Sequence, residues 1–224
     1  MSASAFDAAG FVIVPGILSP EECDRLATRA ARPAASEAGS RTALAEEWCR
    51  DLALRLRADA RLEAYLPPEL RAVQCTSFEK SKERNWLVSL HRDASIPVAE
   101  RVDDPVLRGW SQKEGALHVR APVSLLERLV AVRLHLDRCG AEDGPLSVVP
   151  GSHRLGGEDP EETPVANDPL PFHDCLVEPG DALVLRPLLL HRSSKATGGS
   201  RRRVLHFLFG PAELPHGLRW RDAV

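Results

Sequence analysis

The sequence lacks the features of a membrane, secreted or nucleic-acid-binding protein. Its 224 residues contain no apolar run near the ~20 residues that cross a bilayer, and no basic segment of a secretory signal opens the chain. Lys and Arg number 29 against 32 Asp and Glu, so the basic excess typical of phosphate binding is missing. The five cysteines form no CxxC pair, which argues against a disulfide framework or structural zinc. We therefore expect a cytoplasmic protein that contacts neither membrane nor nucleic acid.

The composition is that of a folded globular chain. Hydrophobic residues make up 43% and charged residues 27%, which excludes a disordered protein. By length alone, one large domain and two small domains are both possible.

The first part of the chain, residues 1–68, is predicted to be mostly helical after one short strand at Phe11–Val14. Ser19, Pro20 and Glu22 form a helix-start signature, with an N-cap, proline at the first helical position and an acid three residues after the cap. A second helix is predicted within residues 44–62, where apolar residues recur every four positions. Its predicted buried stripe consists of Leu44, Trp48, Leu52 and Leu56, widened by Leu54.

After residue 68 the pattern changes to short apolar or alternating runs bounded by turn residues. Six such runs predict strands, at residues 72–78, 85–90, 129–136, 146–149, 182–185 and 204–209. Many short strands favour a sandwich or barrel over a parallel sheet with crossover helices. Residues 99–118 and 155–173 lack strand periodicity and are predicted to be long loops, either plain surface insertions or substrate lids.

Histidine and aspartate two positions apart occur twice, in His91-Arg-Asp93 and His135-Leu-Asp137. Alternate residues of a strand point to the same face, so such a pair can bind one metal ion. One distant histidine would complete a two-histidine, one-carboxylate triad, which binds Fe(II) and leaves open coordination positions.

His191 is the best distant histidine, because it ends an apolar run and precedes a turn-rich segment. The stretch between Asp93 and His191 has room for several strands and a lid. The stretch after Asp137 is much shorter and includes the strandless acidic loop. The longer connecting segment therefore favours His91, Asp93 and His191 as the triad, with His135-Leu-Asp137 on a neighbouring strand.

Three arginines, Arg201, Arg202 and Arg203, open the next predicted strand about ten residues after His191. An oxygen-activating iron site needs a co-substrate, and a dicarboxylate keto acid leaves its far carboxylate in need of a partner. The planar fork of arginine makes two charge-assisted bonds to one carboxylate. One of the three is therefore a candidate for that contact, and at least one is expected to be a solvated strand end.

Three segments, FEKSKERNWLVSLHRD (78–93), DGPLSVVPGSH (143–153) and RPLLLHRSS (186–194), resemble bacterial members of the phytanoyl-CoA dioxygenase family. The opening GFVIVPGILSPEECDRL (10–26) is similar to that family's N-terminus. The resemblance spans nearly the whole chain and is weakest in 99–118 and 155–173. It implies a mainly β fold with flanking helices, a double-stranded β-helix or jelly roll, as one domain over residues 1–224 with its core in 69–224.

The resemblance also implies Fe(II) and the co-substrate 2-oxoglutarate. By position, His91, Asp93 and His191 match the iron ligands, and Arg202 matches the arginine that binds the far carboxylate. Arg133 and Thr76 match two further positions that contact the co-substrate. Gly144, Pro150, Gly151 and His153 belong to a turn motif interpreted as structural.

The chain departs from its relatives at Leu90, where many have Trp, and at Arg92, where Gln is common. Both departures are expected to change the substrate pocket. Because halogenating relatives replace the carboxylate, Asp93 disfavours halogenation.

The function implied is a dioxygenase that uses dioxygen to oxidise a small molecule, most simply by hydroxylation, with release of succinate and carbon dioxide. Desaturation or ring formation stays open. The alternatives are a cupin-like metal-binding jelly roll, such as an isomerase or a sugar-binding protein, and a non-catalytic scaffold.

Overall fold

The computed structural model describes residues 3–31, 39–155, 170–199 and 201–224. These contain four α-helices, α1 (Ala3–Ala9), α2 (Pro20–Arg29), α3 (Glu47–Ala58) and α4 (Val123–Leu126), and three short 3-10 turns. The thirteen strands are β1 (Phe11–Val14), β2 (Gly39–Ser40), β3 (Arg71–Lys80), β4 (Val88–His91), β5 (Ser95–Val98), β6 (Arg108–Lys113), β7 (Ala116–Arg120), β8 (Val130–His135), β9 (Leu146–Val148), β10 (His173–Cys175), β11 (Ala182–Leu185), β12 (His191–Ser193) and β13 (Arg202–Gly210).

Two antiparallel sheets form the body of the fold. The larger has the order β1-β11-β8-β13-β3-β2, and the smaller has the order β10-β9-β12-β4. From β8 onward the chain alternates between them, with β8, β11 and β13 in the larger sheet and β9, β10 and β12 in the smaller. This double winding is the double-stranded β-helix, or jelly roll, and the mainly β class with flanking helices is confirmed.

The outer face of the larger sheet is covered by the N-terminal helices. Alternate residues of its strands, such as Val132, Leu205 and Phe207, join helical residues in one apolar cluster. The predicted start of α2 is confirmed, because the Ser19 side chain accepts from the Glu22 backbone N–H and the Glu22 side chain accepts from the Ser19 backbone N–H.

The predicted stripe of α3 is partly wrong. The helix buries Cys49, Leu52, Ala53 and Leu56, whereas Leu54 is 46% exposed. Leu44 is buried but lies in a preceding 3-10 turn. With 3.6 residues per turn, Leu54 lies on a different face from Leu52 and Leu56. None of the described helices is long and apolar enough to span a bilayer.

The prediction of a loop over residues 99–118 is wrong from residue 108 onward, because β6 and β7 form a hairpin. The strand β7 also pairs with β5, which makes a third, three-stranded sheet. A two-residue turn joins β6 and β7 at Glu114 and Gly115, with φ of 51° and 75°. The strand β6 is polar and largely exposed, so it shows no apolar alternation. Of the second predicted loop, 156–169 lies outside the described residues, and β10 begins at His173.

Candidate active site

Two neighbouring strands of the smaller sheet bring the two candidate histidines together. His91 ends β4 and His191 begins β12, and the two are directly paired across the strands, with ring centroids 4.2 Å apart. Asp93 follows β4, and its backbone N–H donates to the Pro187 carbonyl at 2.9 Å. The structure therefore assembles this triplet and not His135-Leu-Asp137.

The ligand atoms of the three side chains converge on one point. His91 Nε2 lies 3.6 Å from Asp93 Oδ1, and His191 Nε2 lies 3.8 Å from Asp93 Oδ2. The atoms that each residue can offer a metal all lie within 4.8 Å of one another. A single metal ion can therefore contact all three residues.

Backbone carbonyls set the orientation of both imidazoles. His91 Nδ1 lies 2.8 Å from the Ser89 carbonyl, and His191 Nδ1 lies 2.8 Å from the Leu189 carbonyl. A carbonyl oxygen only accepts, so Nδ1 carries the hydrogen in both rings. Each Nε2 then faces the shared point, as metal ligation requires.

The charges at this point also suit a cation. Burial raises the pKa of Asp93, but the neighbouring His91 and the charges of the nearby histidines outweigh this, so the pKa lies well below its ordinary range. Burial lowers the pKa of His191, whereas at His91 the neighbouring Asp93 outweighs burial and raises the pKa of the ring. At neutral pH the cluster therefore holds an ionised carboxylate and a neutral His191, and a metal ion would displace any proton from His91 Nε2 on binding.

The triad forms part of the wall of a cavity of about 610 Å³ enclosed by the two main sheets and the β5–β7 sheet. All six candidate site residues line this cavity: Thr76, His91, Asp93, Arg133, His191 and Arg202. A cavity of this size suits a small-molecule ligand.

Strand alternation separates the three arginines of residues 201–203. Arg202 is 4% exposed and lies inside the cavity, where its Nη1 donates to the Gly144 carbonyl. Arg201 pairs with Glu79 at 2.8 Å and Arg203 pairs with Asp137 at 2.6 Å. Only Arg202 is therefore available to a ligand in the cavity.

Arg133 and Thr76 lie on the same inner face of the larger sheet, and both are paired with His206 across β13. Arg133 Nη1 lies 3.3 Å from His206 Nδ1, and its guanidinium stacks 5.6 Å from the centre of the Phe78 ring. Burial and the Arg202 charge lower the pKa of Arg133 to about 10. Thr76 Oγ1 accepts from Gln74 at 2.9 Å.

The cavity holds cationic groups without matching anions. The Nε atoms of Arg133 and Arg202 are buried and have no hydrogen-bond partner. Among the described lining residues, Asp93 is the only carboxylate, and it faces the histidines. Buried, unpaired donors are costly, so this region fits a ligand that carries carboxylates. The cavity therefore fits both a metal ion and an anionic chelator.

Four further cavity or near-cavity residues were not predicted. Ser193 follows His191 by two positions, so strand alternation points it into the cavity, and that spacing was a usable signal. Gln74, His118 and Lys80 gave no such signal. His118 Nε2 lies 3.2 Å from Gln74 Oε1, and His118 belongs to the β6–β7 hairpin that the sequence did not reveal.

The second His-x-Asp pair is divided between two environments. Asp137 binds Arg203 just after β8, which ends at His135, whereas His135 is 1% exposed with neither ring nitrogen bonded. Burial and the neighbouring Arg133 charge hold the pKa of His135 well below its ordinary value, so its ring is neutral.

Arg92 lies between His91 and Asp93, and its side chain bonds mainly to backbone carbonyls. Its guanidinium donates to the carbonyls of Leu188 at 2.9 Å, Leu155 at 3.0 Å and Ser152 at 3.3 Å. These bonds join the strand end that carries Asp93 to the segment before His191. The head group is thus bonded to backbone carbonyls, and because Arg92 also lines the cavity, its effect on the substrate pocket stays a prediction.

We expect Arg92→Met to lower the free energy of unfolding by about 3 kcal/mol, because it leaves buried carbonyls without their charged donor. Urea denaturation measures this change. Arg138→Met is the control, since Arg138 forms a largely exposed pair with Glu178 and its loss should cost about 0.5 kcal/mol or less. Equal urea midpoints for Arg92→Met and wild type would show that these bonds contribute nothing to stability.

Comparison with known proteins identifies one family and several structures of the same fold. The family model described as phytanoyl-CoA dioxygenase matches residues 6–204. No curated protein matches the chain.

Among solved structures, the chain is similar to SnoN, a non-heme alpha ketoglutarate dependent epimerase from nogalamycin biosynthesis, solved with Fe3+, alpha ketoglutarate and nogalamycin RO. The TM-score is 0.69 at 19% identity, covering 99% of this chain and 88% of SnoN. The chain is also similar to HygX from Streptomyces hygroscopicus, solved with nickel, 2-oxoglutarate and hygromycin B bound. The TM-score is 0.57 at 20% identity, covering 97% of this chain and 95% of HygX. For the carbocyclase SnoK, from nogalamycin biosynthesis, the TM-score is 0.62 at 18% identity, covering 95% of this chain and 83% of SnoK.

Proposed function

This chain belongs to the phytanoyl-CoA dioxygenase family, and from that membership and its cavity we propose an Fe(II)- and 2-oxoglutarate-dependent oxygenase that hydroxylates a small molecule. The observation that carries the proposal is the convergence of His91, Asp93 and His191 in one cavity with the buried guanidinium of Arg202, whose Nε has no hydrogen-bond partner. Residues 1–224 act as a single domain in this proposal.

The protein's first task is to bind the metal. His91 and His191 would each offer one Nε2 and Asp93 one carboxylate oxygen to the ion, and such a set leaves coordination positions for other ligands. The two carbonyl contacts at Nδ1 hold both rings in this orientation. Two imidazoles and one carboxylate suit Fe(II) among the divalent ions of its row, although other metals bind such a set.

The second task is to bind the co-substrate in one orientation. Arg202 offers its guanidinium to the far carboxylate, and Arg133 and Thr76 lie along the same face between Arg202 and the sheet centre. Ser193 faces the same space from the opposite sheet. A dicarboxylate bound this way directs its keto acid end to the metal triad. Iron and 2-oxoglutarate, when bound, supply the oxidising chemistry from dioxygen and release succinate and carbon dioxide.

The third task is to place the substrate beside the triad. The remainder of the cavity wall includes Trp86, Val88, Leu90 and His118, which combine apolar contact surface with a polar group. This mixture suits a small organic substrate and excludes bulk water from the reacting carbon. Hydroxylation is the simplest outcome of such placement.

The proposal has a direct spectroscopic and product test. Adding Fe(II) and 2-oxoglutarate without oxygen should produce a weak visible charge-transfer band, and admitting air should convert 2-oxoglutarate into succinate. Screening small molecules for stimulated succinate formation then identifies substrates, and product mass distinguishes hydroxylation from desaturation, ring formation or epimerisation. A protein that binds Fe(II) yet gives no band with 2-oxoglutarate would instead be a metal-binding jelly roll of another function.

A further inference from the structure

A buried lysine lies next to Arg202, which lines the cavity. Lys80 is 1% exposed, and it is the direct cross-strand partner of Arg202 between β3 and β13. Lysine is rarely buried to this extent unless an anion pairs with it. Among the described residues no carboxylate forms an ion pair with Lys80, so the two neighbouring cations share one anion-free region.

A hydrogen-bond network connects the two cations. Lys80 Nζ donates to Ser193 Oγ at 3.0 Å and to the Ser194 carbonyl, and Ser193 Oγ donates to the Gly144 carbonyl at 2.9 Å. The same Gly144 carbonyl accepts from Arg202 Nη1. Lys80 thus holds Ser193, and Ser193 and Arg202 share one acceptor.

Gly144 makes this close approach possible. Its φ is 62°, and a Cβ placed there would lie 2.5 Å from the Ser194 carbonyl oxygen and 3.1 Å from Lys80 Nζ. A side chain at this position would force the turn away from Lys80 and Ser193. The backbone is therefore shaped to bring one carbonyl between two buried cations.

We propose that Lys80 is a positioning residue for the far carboxylate of the co-substrate. Its protonated amine is a second buried positive charge beside Arg202. The inference rests on the proposed function and extends it to the selection of a dianionic keto acid. A dianion that enters this region neutralises two cations that otherwise repel each other in a poorly solvated space.

The protonation of Lys80 must then be coupled to binding. In the free protein, burial and the Arg202 charge lower the pKa of Lys80 to about 8. An arriving carboxylate favours the ammonium form and raises that pKa, so binding near pH 8 takes up a proton. The affinity for 2-oxoglutarate is therefore highest below pH 8, where Lys80 is already protonated, and decreases as the pH rises above 8. If the bound pKa exceeds 10, affinity at pH 9 is about tenfold weaker than at pH 7.

Few other groups near Lys80 change charge in this range. The charged or titratable groups that act on Lys80 are Arg202, Cys139 and Arg133, and Asp143 lies near Cys139. The arginines stay charged, and burial raises the pKa of the Cys139 thiol. The Asp143 carboxylate accepts from the Gly140 backbone N–H at 2.7 Å. With a metal bound, the histidines and Asp93 are held as ligands, so a proton taken up between pH 7 and 9 is assigned to Lys80.

Isothermal titration of Ni(II)-loaded protein with 2-oxoglutarate tests the proposal without turnover. Runs in two buffers of different ionisation enthalpy should report about half a proton taken up at pH 8 and about a tenth at pH 7. Lys80→Met should bind 2-oxoglutarate at least about tenfold more weakly, with no proton uptake. Lys80→Arg should restore affinity without pH dependence. Lys82→Met, which changes an exposed lysine two residues away, should behave as wild type.

The outcomes separate this inference from the proposed function. Wild-type protein that binds 2-oxoglutarate with no proton uptake and equal affinity at pH 7 and 9 overturns the role of Lys80 and leaves the oxygenase assignment intact. Wild-type protein that binds no 2-oxoglutarate at either pH overturns both. Because the wild-type measurement decides, the result does not depend on whether either Lys80 variant folds.

Discussion

His191→Ala is expected to abolish stoichiometric Fe(II) binding and all 2-oxoglutarate turnover. Changing a residue that merely orients a metal ligand typically costs 10–100-fold in affinity, so removing a ligand should cost at least about 100-fold. His191 is 4% exposed, and its Nδ1 contacts the Leu189 carbonyl two residues earlier. The change therefore removes the Nε2 ligand and one local hydrogen bond. Anaerobic metal titration followed by the charge-transfer band measures the loss.

The matched control is His173→Ala, which removes an exposed histidine outside the cavity. It should bind one Fe(II) per chain with wild-type affinity, and both variants should keep the wild-type thermal transition within a few degrees. Retention of tight, stoichiometric Fe(II) by a folded His191→Ala protein would show that the metal centre lies elsewhere and would remove the basis of the proposed function.

Arg202→Met is expected to abolish 2-oxoglutarate binding while leaving metal binding unchanged. Losing one partner of a buried, hydrogen-bonded charge pair costs about 2–5 kcal/mol, so the dissociation constant should rise at least about 30-fold. Titration of the Ni(II)-loaded variant with 2-oxoglutarate measures the affinity for the co-substrate. Titration of the metal-free variant with Ni(II) measures the affinity for the metal. Arg201→Met is the control, because Arg201 lies just before β13 and pairs with Glu79.

This variant also separates the two main functional readings. A metal-binding jelly roll that acts as an isomerase or binds a sugar has no need of a guanidinium in its cavity. Unchanged 2-oxoglutarate affinity in folded Arg202→Met would therefore favour that reading over the oxygenase. The pair of variants assigns one side chain to the metal and another to the organic chelator.

Local spacing in the sequence was sufficient for much of the site. The two-residue spacing of His91 and Asp93 places both side chains where a strand ends, and the apolar run before His191 places that residue at the start of another strand. Strand alternation likewise separates Arg202 from Arg201 and Arg203. These inferences succeeded because the direction of a side chain on a strand depends on its neighbours in the chain.

Other features were invisible for equally physical reasons. The strand β6 is polar and lies at the edge of a small sheet, so no apolar alternation marks the start of the β6–β7 hairpin. Leu54 was misassigned because it lies two residues from both Leu52 and Leu56, which places it about 200° around the helix from each. Arg92 and Lys80 carry long charged side chains that are exposed in most proteins, and no local pattern predicts that backbone carbonyls will surround them.

By itself, the sequence determined the class of fold, the capped start of α2, the main strands and the residues able to bind a metal. The tertiary structure alone decided which charges are buried and what they contact. Whether a lysine ends beside an arginine depends on the register between β3 and β13 and on a glycine turn some sixty residues away. Such contacts are set by how the sheets pair and close, because the cost of burying a charge depends on what packs around it.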